Sequence, residues 1–344
     1  MKNNLIKKTV NDGPIMSESN QLEKNTNSIL VFLKKMASMR EFTLLIIITV
    51  LFITMSFASE YFLTWGNMRA IMLSFSTEGI VVVGMTLLII VGGIDLSVGA
   101  VMCLAMVMAG KLFMLGVDPW SASVLSILGC AFIGGLMGLC VTKIGLHHFI
   151  VTLAFMGLAR GLSMIITQGT PISLFTLPSE FKFIGQGNLF GIPFSIFIFF
   201  FVVIISDYLL RNATAFRKIF YTGSNEKAAE YSGVRTDRVK LGVTILCSAL
   251  CGLAGIIYMS KFGAATPSFG IGLELNIIAA AVIGGASFNG GQGSIFGAIL
   301  GIALLSIVSS SLILLDVSVY WQDFIKGLIL LIAVAADHLL HKKK

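Results

Sequence analysis

The chain has 344 residues, 56% hydrophobic and only 12% charged, with a net charge of +7 and a mean hydropathy of +0.93. Soluble domains carry roughly 25% charged residues, so this composition excludes one and indicates a membrane protein. The basic residues are scattered, without the concentrated stripe of a nucleic-acid binder, and the five cysteines lie inside apolar runs with neither a disulfide framework nor metal-ligand spacing.

Residues 1–41 are polar and lysine-rich and lack an apolar core followed by a small-residue cleavage site, so a cytoplasmic tail is expected rather than a signal peptide. Between 42 and 340 the apolar runs are continuous, without the alternation of a barrel strand. The expected fold is therefore an all-α, polytopic membrane bundle. About ten spans are expected, near 42–58, 71–92, 97–116, 121–142, 148–167, 192–210, 240–260, 272–287, 295–314 and 320–338, and a short basic tail follows at 341–344. With the N-terminus inside, the inner segments hold seven Lys/Arg in residues 1–40, Lys143, seven from Arg211 to Lys240, and Lys342–Lys344. That is eighteen of the 24, which places both termini in the cytoplasm.

Within that frame, the stretch "GGIDLSVG" (92–99) has a glycine pair that breaks the second span. Asp95 is read there either as a cap on the following helix or, with Ser97, as a hydrogen-bonding group on a transport pathway. Arg160, Glu274 and Lys326 are charged positions in or near apolar runs and read as halves of internal ion pairs. The outer loop 168–191 reads either as a cap on the bundle or as a docking surface. Gly293, Gly297 and Gly301 recur every four residues, a close-packing helix face. His147/His148 and His338/His341 read as interfacial residues, and no metal is expected.

One polar island, "YTGSNEKAAEYSGVRTDRVK" (221–240), lies between the sixth and seventh spans. Ser224 or Asn225 suits an N-cap, Glu226 an anion in a first turn, and Gly233 a left-handed stop, which gives a helix of two turns. Thr236 or Asp237 would cap the next helix. Ala228 and Ala229 carry little bulk and leave room for a partner to close around the helix. The alternative is a basic loop on anionic membrane lipid. Nowhere does G-x-x-x-x-G-K-[ST] occur, since the only Gly-Lys pair, Gly110-Lys111, is followed by leucine.

"GSNEKAAEYSGV" resembles the cytoplasmic coupling segment of permease subunits of ABC importers, in the branch that carries ribose and related sugars. The resemblance continues through "VGMTLLIIVGGIDLSVGAV", "ARGLSMIITQGTPI", "ELNIIAAAVIGGASFNGGQGSIFGAILG" and "YWQDFIKGLILLIAVAAD", in order along residues 42–340. Two departures are Phe216 before Arg217, where this branch usually has glycine, and Asn276, where it often has an acid. The resemblance implies a transporter of two permeases (a homodimer or a pair of paralogues), two cytoplasmic ATP-binding subunits and a periplasmic or lipid-anchored sugar-binding protein, in the bacterial inner membrane. This chain would hold no cofactor of its own, ATP being bound by the partner. The coupling residues would be Ser224, Asn225, Glu226, Ala228, Ala229 and Gly233, and the pathway candidates Asp95, Ser97 and Asn276. An ion-driven secondary carrier is the competing reading. A membrane-embedded enzyme would need an acid/base, metal or nucleophile cluster, and none is seen in the sequence.

Overall fold

The structure is a computed structural model that describes residues 40–342. The tail expected over 1–41 lies outside the described residues except at its end, as do Lys343, Lys344 and the side chains of His338 and His341.

The helices are α1 (Arg40–Ala58), α2 (Trp65–Ile90), α3 (Val98–Met114), α4 (Pro119–Thr142) and α5 (His148–Thr167). After the outer loop come α7 (Phe194–Asn212), the island helices α8 (Thr214–Ser224) and α9 (Glu226–Tyr231), α10 (Thr236–Phe262), α11 (Leu273–Ile283), α12 (Ile295–Leu314) and α13 (Val319–Lys342). Each apolar run expected to span is helical, and seven of the helices are long and apolar enough to cross a membrane. Two fall short of the roughly 20 residues a crossing needs: α3 has 17 and α11 only 11. The structure thus corrects the expected span 272–287, because the helix ends at Ile283, residues 284–287 form a turn and coil, and turns rather than helix precede Leu273.

Helix starts follow side-chain chemistry. Asp118 caps α4 by accepting from the backbone N–H of Trp120 and Ser121 at 3.0 and 3.1 Å. Thr64 caps α2, which begins six residues ahead of its expected start. The expected cap on α10 is corrected: Arg235 holds that position without a side-chain bond. Thr236 instead donates to Glu230 at 2.8 Å, and Asp237 pairs with Lys143 at 3.3 Å.

The core is formed by α2, α3 and α10: the spanning windows of α2 and α10 are 83% and 67% buried, against 11% for α1, and α3 is buried throughout residues 98–107. Close approach at small residues brings their neighbours in. A Cβ on Gly134 of α4 would lie 2.7 Å from the Cβ of Ser248, and one on Gly84 would lie 3.0 Å from the Cα of Cys247. Gly297 and Gly301 do form a packing face, pressed on Gly284 and Ala280, whereas Gly293 sits against Ile90.

Two ends of the bundle are distinguishable. At one, the loop 168–191 folds back as β1 (Ile172–Ser173), α6 (Ser179–Gln186), β2 (Asn188–Leu189) and β3 (Ile192–Pro193). β1 pairs antiparallel with β4 (Ala264–Ala265), and β2 with β3, so short strands supplement the all-α bundle. Gly185 donates to Ser260 at 3.0 Å, and Arg69 to the Gln186 carbonyl at 2.9 Å, so the loop clamps the ends of α2 and α10. The island occupies the opposite end, beside Ile90.

Candidate functional site

Two interrupted spans run in opposite directions. The first is α2 to α3. Its helix ends at Ile90, Gly92 takes φ +91°, and residues 93–95 carry no regular structure before a turn at 96–97 leads into α3. Asp95 Oδ1 accepts from the Ser97 N–H at 2.7 Å and from the Ser97 hydroxyl at 2.5 Å. Both side chains are 0% exposed, and Asp95 Oδ2 has no partner among the described residues. The turn lies against α5: Thr152 donates to the Ile94 carbonyl at 3.2 Å, and the His148 ring packs on Gly93.

The second is α10 to α11. Beyond Phe262 the chain passes through β4 and then through turns over 267–272 alongside α3, with Ala265 near Gly110 and Gly270 against Gly99. A non-helical segment inside a bilayer needs partners for its carbonyls. Arg160 supplies them, donating to the carbonyls of Pro267 at 2.9 Å and Phe269 at 2.6 Å, while the Cys103 thiol approaches Thr266 and Pro267 at 3.3 and 3.2 Å. The ion-pair expectation is therefore corrected for Arg160, which serves backbone oxygens, and for Glu274, which accepts from the Gly272 N–H at 3.2 Å; Lys326 does form an ion pair, with Asp323 of its own helix at 3.6 Å.

Between the second break and its neighbours lies a cavity of about 470 Å³, lined by Glu78 of α2, Tyr258 of α10, Phe269–Leu273, Leu275 and Asn276, and Asp323 and Lys326 of α13. Its volume falls in the range of small-molecule sites. Its walls combine hydrogen-bonding groups with the rings of Tyr258 and Phe269, whose centroids lie 4.5 Å apart. Such a lining can hydrogen-bond hydroxyl groups and pack against an apolar face, and it also carries the ionisable Glu78, Asp323 and Lys326.

The island is two helices meeting at a corner. Asn225 caps α9, its side chain accepting from the Ala228 N–H at 3.0 Å. Glu226 binds Lys240 at 2.5 Å. The helix stops at Gly233 (φ +82°), with Val234 N–H donating to the Ala229 carbonyl at 3.0 Å and Gly233 N–H to that of Glu230 at 2.9 Å. The last turn of α8 is seated in the bundle. Gly223 touches the Ile90 carbonyl, Ser224 lies on Gly291, and Gly291 N–H donates to that same Ile90 carbonyl at 2.8 Å. The island is thereby packed against the end of α2, next to the first break, and against the turn that follows α11, two elements that are themselves hydrogen-bonded to each other.

The family described as "Branched-chain amino acid transport system / permease component" matches residues 67–334. The chain belongs to this permease family. The permease is similar to the "Ribose import permease protein RbsC" of Haemophilus influenzae, 34% identical over 323 residues, covering 93% of this chain and 99% of the relative. It is 36% identical over 288 residues to the RbsC of Bacillus subtilis, covering 84% and 89% of the two chains. It is 34% identical over 302 residues to the "D-allose transport system permease protein AlsC" of Escherichia coli, covering 88% and 91%. No solved structure matches it. Family and apolar helices together make the permease a multi-pass protein of the bacterial inner membrane.

The structure separates the residues singled out from the sequence. Asn276 lines the cavity, whereas Asp95 and Ser97 are sealed inside the bundle and do not. Ala228 is exposed, but Ala229 is turned inward at 5% exposure, so of the two only Ala228 offers room to a partner. Sequence reasoning missed the non-helical segment 266–272, the role of Arg160, and Tyr258 and Phe269 as cavity walls. Two signals for the break were present. Pro267, Gly270 and Gly272 cluster there, and Leu273-Glu274-Leu275-Asn276 repeats the pattern of Ile94-Asp95-Leu96-Ser97 ahead of α3.

Proposed function

We propose that the permease is the membrane subunit of an ATP-binding-cassette importer that carries a sugar or sugar-like solute, in the class of ribose, related pentoses, hexoses, inositol or autoinducer-2. It works with a second permease, two cytoplasmic ATPase subunits that bind the ATP, and a sugar-binding protein on the outer face. The chain crosses ten times, α3 and α11 completing their crossings with non-helical segments, and both termini and the island face the cytoplasm. The names of the ribose and allose relatives support the solute class. The observation that carries the reading is the seating of Gly223 and Ser224 against Ile90 and Gly291. Through it, a capped, exposed helix that an ATPase can grip is joined to both interrupted spans.

ATP-driven closure of the ATPase pair shifts α9. The last turn of α8 transmits that shift to the end of α2 and to the α11–α12 turn, and the cavity beside Asn276 changes the side to which it opens.

The paired broken spans are also a feature of ion-driven carriers, so that reading is retained as the alternative. Uptake by proteoliposomes containing the permease, its ATPase and its binding protein separates the two. ATP-dependent uptake that persists with a proton and sodium ionophore is expected, and uptake without ATP that collapses with the ionophore would establish the carrier. Cysteine labelling near Gln186 only from outside, and near Lys227 only from inside, is the expected topology result.

A further inference from the structure

Between α8 and the first turns of α10 lies a groove of about 560 Å³, the largest cavity described, which the transport reading does not use. Phe216 and Ile219 of α8 and Val243 and Leu246 of α10 form its apolar walls, and Lys218, Arg235 and Arg238 stand on its rim. These three cations have no ion pair or hydrogen bond among the described residues. On the same end of the bundle Lys143, Arg211 and Lys240 are each paired, with Asp237, Asp207 and Glu226. The acids nearest the rim are engaged elsewhere, Glu230 by Thr236 and Asp237 by Lys143.

The groove's polarity changes along the membrane normal. At 1.5 Å per residue the 27 residues of α10 extend about 40 Å, longer than the roughly 30 Å hydrocarbon core. Arg235 and Arg238, at its start, therefore lie at headgroup level. Leu246 lies about 12 Å further along the helix than Arg238, at the depth of acyl chains. Gly242 forms an open floor between them, since a Cβ there would meet nothing within 4 Å. A soluble anion would satisfy the rim but not the walls, and a protein segment would not need apolar walls that run into the bilayer.

We propose that this groove binds an anionic phospholipid, its phosphate among Lys218, Arg235 and Arg238 and one acyl chain along Ile219, Val243 and Leu246. The leaflet is the cytoplasmic one, and only that assignment rests on the transport reading; the charge and depth of the groove do not.

The test is native mass spectrometry of the full-length permease equilibrated with phosphatidylglycerol or phosphatidylcholine. Retention of phosphatidylglycerol at least tenfold above phosphatidylcholine is expected. The triple variant K218Q/R235Q/R238Q should lose about a hundredfold in phosphatidylglycerol affinity, on the order of fivefold per cation. Gly242→Trp, which fills the floor without changing charge, should displace the lipid as well. It keeps the test decisive if the triple variant fails to fold. Equal retention of the two lipids, unaltered phosphatidylglycerol binding by Gly242→Trp, or displacement by millimolar inorganic phosphate would overturn the proposal. So would loss of the co-purifying ATPase from the triple variant with lipid retention intact, since the groove would then be a protein contact.

Discussion

Replacing Gly223 with alanine tests the mechanical joint between island and bundle. The added Cβ would press on the Ile90 carbonyl oxygen and lie 2.7 Å from the Gly291 nitrogen and 2.9 Å from the Ile90 carbonyl carbon. Carbon contacts settle near 3.5–4.0 Å, so α8 must withdraw by about 1 Å. That movement unseats Gly223 and Ser224 from the Ile90 carbonyl and Gly291, while the 2.8 Å bond from Gly291 N–H to the Ile90 carbonyl, which does not involve α8, stays in place. Overpacking of this kind costs about 1–3 kcal/mol. The spans and the capped α9 are untouched, so insertion and ATPase assembly should survive. Uptake and ATP hydrolysis are then measured on the same proteoliposomes. Transported solute per ATP should fall at least tenfold, the equivalent of about 1.4 kcal/mol. Gly242→Ala, where the Cβ meets open space, is the control. Unchanged solute per ATP in Gly223→Ala would refute the joint.

Asp95→Asn keeps an acceptor for the Ser97 N–H and hydroxyl, so protein level and uptake should stay near wild type, while Asp95→Ala should lose about 0.5–2 kcal/mol of stability. A well-expressed Asp95→Asn with poor uptake would put Asp95 back on the pathway. Arg160→Gln strips charged donors from the carbonyls of Pro267 and Phe269, and should destabilise the permease by about 1.5–3 kcal/mol per bond lost. Thermal unfolding in detergent reads this, and an unshifted transition would contradict it. Asn276→Ala removes a hydrogen-bonding group from the cavity wall and should raise the uptake KM by roughly two- to tenfold, the loss of one hydrogen bond. ATP hydrolysis should be unaffected, and an unchanged KM would take Asn276 off the pathway.

Local chemistry was legible in the sequence where one residue decides one conformation. Asn225 and Gly233 bound α9 as their side-chain oxygen and positive φ require, and the apolar runs at 148–167 and 295–314 are helices to the residue. The break before α11 was harder to read. Hydropathy stays high through Phe269 and Ile271, and what makes a non-helical backbone tolerable there is a guanidinium on α5, more than a hundred positions away. Arg160 read as an ion-pair partner because side-chain acids are visible in a sequence and backbone acceptors are not. The cavity was hidden for a similar reason, since it joins Glu78, Tyr258, Asn276 and Lys326 from four helices with no common periodicity. Inward and outward faces of α9 also needed the structure, because Ala228 and Ala229 are alike in sequence and opposite in exposure.

The claim that an ATPase grips the island is tested most directly by a photo-crosslinking amino acid at position 228, in the permease assembled with its ATPase in membranes. A covalent adduct between the two subunits is predicted from position 228, and none from position 190 in the loop at the opposite end of the bundle. Absence of the adduct at 228 in an assembly that still hydrolyses ATP, or an equal yield from 190, would contradict the account.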